Sequence, residues 1–255
     1  MKKKYIFVII LLLYNCTKTN IREYNNTSEL KNKNLKIGLV GFYPFEVKSD
    51  STVGRKSTTV ATVNYSISLK GYFKNGDKLT KFKKSGINQN VSSIKVKQFA
   101  ESYMSKTGSS GATELEQIIE VVKKPNGDNE FKLKNFDIDY IIVGNMAPIF
   151  QKQTGLGALS QLFTGLYCLA TIGIIPMYII YETQPEFIVY DKNLNELKRF
   201  QYNNTYSTTT AIWVQKNPDS GEKNYGSAGN TIESKVFTPE ISEANDEVTN
   251  YINGL

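Results

Sequence analysis

Histidine is absent from the 255 residues of this chain. Histidine is the commonest general base, a standard zinc ligand and the proton carrier of serine and cysteine catalytic triads. Its absence excludes histidine general bases, histidine zinc ligands and histidine-dependent triads, and leaves an enzyme that uses carboxylates alone as an alternative. We therefore predict a protein that is not an enzyme, with no catalytic residues, no metal site and no cofactor.

Cysteine is nearly absent as well, since the chain holds only Cys16 and Cys168. Cys16 ends an N-terminal apolar run, and Cys168 lies within a second apolar stretch. If Cys16 carries a modification, Cys168 has no partner for an intrachain disulfide. We expect Cys168 to be a buried, inert thiol.

Charge is moderate, and the basic residues are not gathered into one stripe. The formal net charge of +7 falls to +4 without residues 1–15, which contain three lysines and no acidic residue. A basic excess of this size is compatible with an anionic surface but does not require one. Without a concentrated basic stripe we predict no nucleic-acid partner. The hydrophobic content of 40% and aromatic content of 12% are typical of a globular protein.

Motifs that could carry chemistry are incomplete. The Gly108–Gly111 stretch precedes a predicted helix but lacks the lysine that a phosphate-binding loop needs, so we interpret it as a connector. Asp137 and Asp139 precede a predicted strand and could form a carboxylate pair. We favour a solvated turn at that position.

The N-terminus has the pattern of an export signal. Lys2, Lys3 and Lys4 form a basic segment, residues 5–15 are uncharged, and Cys16 follows where cleavage would fall. The uncharged run is shorter than the roughly 20 residues that span a bilayer. We predict a signal peptide at 1–15; an uncleaved helix followed by an ordinary thiol is the alternative.

The segment LLLYNC resembles the signal of bacterial lipoproteins. Leu13 matches the aliphatic position three residues before the cysteine, whereas Tyr14 and Asn15 are larger than the small residues usually found there. Spirochaetal lipoproteins tolerate such variation. The resemblance implies lipidation of Cys16 and a chain anchored in the cell envelope, in the outer membrane, on its periplasmic or surface face.

The rest of the chain predicts a polar tether followed by one α+β or α/β domain. Residues 16–34 form the lipidated cysteine and a flexible, Asn- and Lys-rich tether, and 35–255 form the domain. Its expected architecture is a single mixed sheet covered by two to four helices, with an apolar helical segment before a C-terminal hairpin. The predicted elements are a doubly buried strand at 35–45, a half-buried strand at 58–73, a helix from Ser92 or Ser93 to Gly108, a helix at 113–124, a strand at 139–146, a hairpin at 186–205 and a helix at 239–252.

Two details of these helices can be tested. The first is expected to bury a face made of Ile94, Val96, Phe99, Tyr103 and Met104. The second is expected to begin with a capping box between Thr113 and Glu116.

The segment 153–181 lacks charged residues throughout. Its glycines and Pro176 favour a buried or interfacial helix at about 158–170 followed by a strand, over a segment that inserts into or spans a membrane. Trp213 and Tyr206 could lie at a membrane interface, but packing within the fold is favoured. The residues that could contact a membrane are Leu162, Phe163, Leu166, Tyr167, Leu169 and Ile172.

The body also resembles known envelope lipoproteins. KIGLVGF, as first strand, and DYIIVG, as the strand after a helix, are similar to the small α/β domain of curli-secretion and penicillin-binding-protein-activator lipoproteins. LATIGIIPMY followed by EFIVYDKNLNELKRFQY resembles uncharacterised Gram-negative lipoproteins. The first resemblance implies a partner-binding scaffold. We therefore predict a protein attached to a membrane through its lipid and bound to other envelope proteins; a membrane-inserting protein that uses 153–181 is the alternative, and the oligomeric state stays open.

Overall fold

The computed structural model describes residues 16–25, 27–50, 58–125, 127–146, 150–151, 155–171, 174–214 and 234–255. The predicted signal peptide at 1–15, with Lys2, Lys3 and Lys4, lies outside the described residues, and so does Ile172.

Strands and helices alternate irregularly along the described chain. The strands are β1 (Cys16–Asn20), β2 (Ile37–Gly41), β3 (Phe45–Asp50), β4 (Thr58–Val63), β5 (Asp77–Lys78), β6 (Lys84–Ile87), β7 (Ile119–Lys123), β8 (Asn129–Phe136), β9 (Tyr140–Asn145), β10 (Phe150–Gln151), β11 (Met177–Thr183), β12 (Glu186–Asp191), β13 (Glu196–Gln201) and β14 (Asn204–Ala211). The α-helices are α1 (Ser93–Thr107), α2 (Ala112–Ile118), α3 (Gly155–Ala170) and α4 (Thr238–Asn253). Short 3-10 helices are formed by Lys70–Tyr72, Leu79–Lys81, Gly108–Gly111 and Ser234–Phe237.

The predicted fold class is confirmed, because the structure is mixed α+β. Its strands are divided among several sheets instead of lying in one. These have the strand orders β1-β14-β11-β10, β13-β12-β9-β2-β5, β3-β4 and β6-β8-β7. The chain forms two compact units. The described residues of unit 1 lie within 16–23, 150–183 and 203–214, and those of unit 2 lie within 24–146, 184–202 and 234–255.

The five-stranded sheet of unit 2 is built around β2. This strand pairs in parallel with β9 and β5, and β9 pairs antiparallel with β12. All five residues of β2 are buried, as predicted for an apolar run covered on both faces. Buried side chains of α1 and α2, including Val96 and Ile118, join Val40, Val143 and Ile188 of the sheet in one hydrophobic cluster.

The alternate residues of the same strands point to the opposite face of this sheet. Leu39, Ile142 and Phe187 are nearly inaccessible to solvent there. Phe200 pairs with Phe187 across β12 and β13, and its ring meets that of Tyr251 on α4 at a centroid distance of 6.4 Å. The sheet is therefore covered by helices on both faces, with α4 on the second.

The predicted helix at 92–108 is confirmed. The side chain of Ser92 accepts a hydrogen bond from the backbone N–H of Lys95, and Gly108 ends α1 with φ of 65°. The expected buried face is narrower than predicted, because Ile94 is 72% exposed and Met104 is 39% exposed.

The prediction for the second helix was wrong at both ends. Gly111 precedes α2, and no side chain caps the helix, so the expected capping box of Thr113 and Glu116 is not formed. The chain then enters β7 at Ile119, which pairs with Leu133 of β8. Residues 119–123 contain β-branched side chains that suit a strand, and pairing with β8 outweighs their helical spacing.

The strand predicted at 35–45 is interrupted by a turn after β2. Gly41 and Phe42 have positive φ values of 79° and 63°. A β-carbon on Gly41 would lie 2.2 Å from the carbonyl oxygen of Gly144, so this close approach of β2 to β9 requires glycine. The N–H of Phe42 donates to the same oxygen at 2.8 Å, which fixes the turn. The strand predicted at 58–73 is also shorter and ends at Val63.

The four-stranded sheet of unit 1 is antiparallel. β1 pairs with β14 from Cys16 opposite Ala211 to Asn20 opposite Ser207, and β14 also pairs with β11. The uncharged helix α3 packs on β11, and Gly165 faces the sulfur of Met177. A helix and a following strand were predicted for this apolar segment, and both are confirmed.

The segment predicted as a tether contains ordered contacts. Residues 16–20 form β1 of unit 1. Within unit 2, the backbone N–H groups of Thr27 and Ser28 donate to the Asp246 carboxylate, and the N–H of Lys31 donates to the Asn253 side chain. Both parts thus hydrogen-bond to folded elements, whereas the flexibility of the segment stays a prediction.

Candidate functional site

The clearest candidate site is an apolar surface on unit 1. Helix α3 carries no charged residue over its sixteen positions. Five of the six residues predicted to contact a membrane lie on it, and each is at least 54% exposed. These are Leu162, Phe163, Leu166, Tyr167 and Leu169, and Leu159 extends the same face. This clustering differs from the scattered exposed apolar residues that are normal on a soluble protein, and it makes the surface a candidate for binding.

The exposed residues form one face because of their helical spacing. Leu162 and Phe163 lie three and four residues after Leu159, and Leu166 lies four and three residues after them, so these side chains share one side of α3. The half-buried residues Gln161, Thr164, Gly165 and Cys168 lie on the side that packs on the sheet. Cys168 was expected to be fully buried, but it is half-buried and free.

The surface continues beyond the end of α3 into a second group of exposed apolar side chains, which we call the apolar tip. The tip consists of Leu169, Ile174, Ile175 and Trp213, with exposures of 79%, 61%, 40% and 58%. Trp213 was expected to pack within the fold, and its exposure contradicts that expectation. Tyr206 does pack, since its ring stacks on Tyr181 at 5.0 Å.

The polar groups of the tip are bonded to one another. The indole N–H of Trp213 donates to the carbonyl of Ile174 at 2.7 Å. The N–H groups of Ile174 and Ile175 donate to the carbonyl and the hydroxyl of Thr171, at 3.2 and 3.0 Å. The Thr171 hydroxyl donates in turn to the carbonyl of Tyr167 at 2.7 Å. These donors therefore do not need water as a partner.

The predicted lipidation residue lies at the same end of unit 1 as the tip. Cys16 is the first residue of β1 and stands opposite Ala211 in the sheet register. Two residues after Ala211 comes Trp213, and Met177 stands opposite the neighbouring Thr210. The start of β1, the end of β14 and the start of β11 thus share one edge with the tip.

Unit 2 contains a buried ion pair at the end of β2. The ammonium of Lys70 lies 2.7 Å from a carboxylate oxygen of Glu114, and both side chains are at most 7% exposed. That oxygen also accepts the backbone N–H of Gly41 at 3.0 Å, and the other accepts the hydroxyl of Tyr103 at 2.5 Å. Burial, with the nearby negative charge of Glu114, raises the pKa of Tyr103.

Two further tyrosines complete the surroundings of this pair. The Lys70 ammonium lies 4.7 Å from the centre of the Tyr43 ring, a cation–π arrangement. The Tyr65 hydroxyl donates to the carbonyl of Ser110 at 2.7 Å. Burial, reinforced by the charge of Glu114, raises the pKa of Tyr65 to about 12. Because both oxygens of Glu114 already accept hydrogen bonds, the arrangement fixes the turn after β2 instead of offering a free base.

A second polar cluster lies between α1 and the sheet of unit 2. The buried carboxylate of Glu186 is paired with Lys106 and with Arg199. Burial and the nearby charge of Arg199 lower the pKa of Lys106. The side-chain oxygen of Asn145 is buried there without a protein partner, beside a cavity of about 20 Å³. That volume suits a single water molecule, so the cluster has no room for a substrate.

A larger cavity of about 360 Å³ opens in unit 2 at the surface. Its lining consists of Thr27, Ser28, Glu29, Leu30, Lys33, Lys74 and Asn75. Every one of these residues is half-buried or exposed. Specific small-molecule sites combine an apolar wall with a few fixed polar groups, which this lining does not provide.

The other motifs noted in the sequence have structural roles. Asp137 and Asp139 are exposed, and they bind the side chain and the backbone N–H of Lys36. Gly108–Gly111 forms a 3-10 connector between α1 and α2. Within the described ranges, no group of three or more metal-ligating side chains could hold a metal ion.

We compared the chain with protein-family models, with curated proteins and with solved structures. None of the three comparisons finds a match. The apolar surface, the tip and their position beside Cys16 are the features from which a function can be inferred.

The length of α3 limits how it can meet a bilayer. In the part of the chain that the structure describes, no helix is both long and apolar enough to cross a membrane. The sixteen residues of α3 extend over about 24 Å, whereas a hydrocarbon core is about 30 Å thick. Contact through one exposed face is compatible with this length.

Proposed function

We propose that the protein is a lipid-anchored cell-envelope protein that acts as a binding module for another envelope component, without catalysis. The anchor would be a lipid on Cys16, which becomes the first residue when residues 1–15 are removed. The observation that carries the proposal is the coincidence of two features at one edge of unit 1. The residue that ends the signal-like motif begins β1, and an exposed apolar tip lies beside it.

The exposed apolar surface supports a membrane location. In water it leaves six large side chains of α3 more than half exposed. Full burial of an exposed Leu or Phe side chain contributes about 1.5–3 kcal/mol, and side chains that are half exposed retain roughly half of that contribution for an outside contact. If a lipid holds the protein at a bilayer, these exposed side chains can contact the apolar interior of that bilayer.

The central sheet of unit 2, which is covered on both faces, supports the binding role. Helices cover both faces of its central sheet. A buried ion pair fixes the turn between β2 and β3. A rigid body of this kind suits a scaffold that presents its loops and helices to another protein.

Lipidation can be tested with radiolabelled palmitate in cells that express the full chain. We expect incorporation into the unmodified chain and none into Cys16→Ala. Cys168→Ala is the matched control, because it removes the other cysteine and should keep the label. Label that persists in Cys16→Ala would contradict the anchor.

The binding role can be tested by photo-crosslinking in intact cells. A photoreactive amino acid at Ile94, which is 72% exposed on α1, would report on partners of unit 2. We expect a discrete crosslinked protein band at this or another exposed unit 2 position. Crosslinks to lipid alone at every exposed position of unit 2 would contradict a protein partner.

A second candidate function is supported by the exposure of α3. In this alternative the protein inserts into membranes through 153–181 and does not depend on a lipid. Carbonate extraction of membranes mixed with a chain that begins at Thr17 separates the two candidates, because neither residues 1–15 nor a lipid on Cys16 can hold that chain. Retention in the pellet supports insertion, and full release supports the lipid as the principal anchor.

A further inference from the structure

We propose that the apolar tip and the adjoining face of α3 form a lipid-bilayer docking surface that is continuous with the lipid on Cys16. Unit 1 would then lie directly on the membrane, because no linker separates Cys16 from β1. The inference rests on the proposed function in one respect, the lipid on Cys16. The tip and its bilayer contact are defined without that lipid.

The first argument is the position of the tip. Cys16 is opposite Ala211 in the sheet, and the exposed indole of Trp213 follows two residues later. Acyl chains attached to Cys16 would start at the edge of the sheet from which Trp213 and Ile174 project. A lipid fixed at this edge brings the tip to the surface of the bilayer.

The second argument is the pairing of polar groups in the tip. A polar group that enters hydrocarbon without a partner costs several kcal/mol, on the order of 2–7. The indole N–H of Trp213 is already bonded to Ile174, and the N–H groups of Ile174 and Ile175 are bonded to Thr171. The tip can therefore leave water without losing these hydrogen bonds.

The third argument is the absence of charge. Residues 153–181 contain no Asp, Glu, Lys or Arg. Protein interfaces usually surround an apolar centre with a polar and charged rim. A continuous uncharged face that includes Trp213 and Tyr167 instead fits the boundary between headgroups and acyl chains. These observations favour a bilayer over a protein as the occupant.

The chain carries its own probe of this contact, because Trp213 is its single tryptophan. The experiment uses the chain from residue 16 onward with Cys16→Ala, so that neither the signal segment nor a lipid contributes. The probe is vesicles of phosphatidylethanolamine and phosphatidylglycerol. We expect a blue shift of tryptophan emission on vesicle addition, and quenching when the phospholipids carry bromine on their acyl chains.

Substitutions then map the surface. Leu169→Ser and Ile174→Ser should each lower the vesicle partition coefficient by about tenfold, since each removes a large apolar side chain from the contact. Ile94→Ser is the matched control: it removes an equally exposed apolar residue of α1 and should leave partitioning unchanged. Circular dichroism confirms that each variant is folded.

Several results would overturn the inference. Emission that stays unshifted, with no quenching by brominated lipid, would show that the tip does not enter a bilayer. This result can be interpreted without the Leu169→Ser and Ile174→Ser variants. A blue shift that depends on protein concentration without vesicles would assign the surface to a second copy of the chain. Neither result bears on palmitate labelling, so failure of this inference and failure of the lipid anchor are distinguishable.

Discussion

The two units treat apolar side chains in opposite ways. Unit 2 removes them from water, so that Val40, Ile142 and Phe187 are at most 1% exposed. Unit 1 leaves its most apolar element outside, with Leu169 at 79% and Leu162 at 59% exposed. Burial of apolar area is the main favourable contribution to folding. In unit 2 the apolar area is buried within the fold. In unit 1 much of the apolar area of α3 stays exposed and could be buried by a contact outside the chain.

The units also treat polar groups differently. Unit 2 buries charges and pairs them, as Lys70 and Glu114 show. The tip of unit 1 pairs its backbone and indole donors but contains no charge. Paired charges in a core fix one arrangement, whereas an uncharged exterior with satisfied donors can move from water into hydrocarbon. The following predictions test this contrast, beginning with the largest expected effect.

The largest effect is expected from the buried ion pair of unit 2. Glu114→Ala leaves the Lys70 ammonium buried without its carboxylate, and we expect the free energy of unfolding to fall by about 3–5 kcal/mol. Chemical denaturation followed by circular dichroism measures this change. Glu101→Ala, which breaks an exposed pair with Lys97 at 3.7 Å, should cost no more than about 0.5 kcal/mol.

A rescue experiment separates loss of the pair from loss of packing. The double variant Lys70→Met with Glu114→Leu removes both charges and retains volume, so it should recover the part of the stability that Glu114→Ala loses through the unpaired ammonium. The Gly41 N–H and the Tyr103 hydroxyl still lack their acceptor, so recovery should be partial. If the double variant is no more stable than Glu114→Ala, the buried charge is not the cause of the loss.

A smaller effect is expected at Asp246, which holds residues 27 and 28 against α4 of unit 2. Its carboxylate accepts the backbone N–H groups of Thr27 and Ser28 at 3.1 and 2.9 Å. Asp246→Ala should lower the free energy of unfolding by about 2 kcal/mol, because hydrogen bonds to a charged group are lost. Thermal unfolding at neutral pH measures this change.

This contribution should depend on pH. Burial acts to raise the pKa of Asp246, but the hydrogen bonds from Ser28, Thr27 and Tyr24 outweigh it and hold the pKa below the ordinary 3.8. A lowered folded-state pKa gives stability that is present above the unfolded value and is lost as the pH falls through the folded value. The difference between the unmodified chain and Asp246→Ala should be constant near neutral pH and shrink below 3.8. A difference that grows on acidification would contradict this assignment.

The smallest effect is expected on the exposed face of unit 1. Leu162→Ala should change the free energy of unfolding by less than about 0.5 kcal/mol, because the side chain is already largely in water. The same substitution at Leu133, which is 2% exposed in unit 2, should cost about 2–5 kcal/mol. Tryptophan emission and circular dichroism follow the two units together. Equal losses at both positions would remove the contrast between the units.

Several features of the fold could be read from local sequence. Ser92 and Gly108 bound α1 as predicted, because capping and a left-handed end depend on the residues at that position. The apolar segment was predicted as a helix followed by a strand, as α3 and β11 show. Its surface exposure was one of several alternatives, since periodicity alone does not tell a core helix from an interfacial one.

Other features were not predictable from neighbouring residues. Ile119 begins a strand because Leu133 lies opposite it, fourteen positions further along the chain. The Gly41–Phe42 turn depends on the carbonyl of Gly144. A glutamate such as Glu114 on a short helix would be expected to face solvent. The burial of its side chain is favourable only because Lys70 and Tyr103 bind the carboxylate. The tip likewise depends on contacts between distant segments, because it combines residues near 170 with residues near 213.

The amino-acid sequence alone shows that histidine chemistry is absent, that residues 1–16 combine a basic segment, an uncharged run and a cysteine, and that 153–181 is uncharged. These are properties of composition and spacing, and folding does not alter them. Only the tertiary structure decided which apolar residues stay in water and that Trp213 and Cys16 share one edge of a sheet. Burial and pairing between distant segments depend on contacts that no local window of sequence contains.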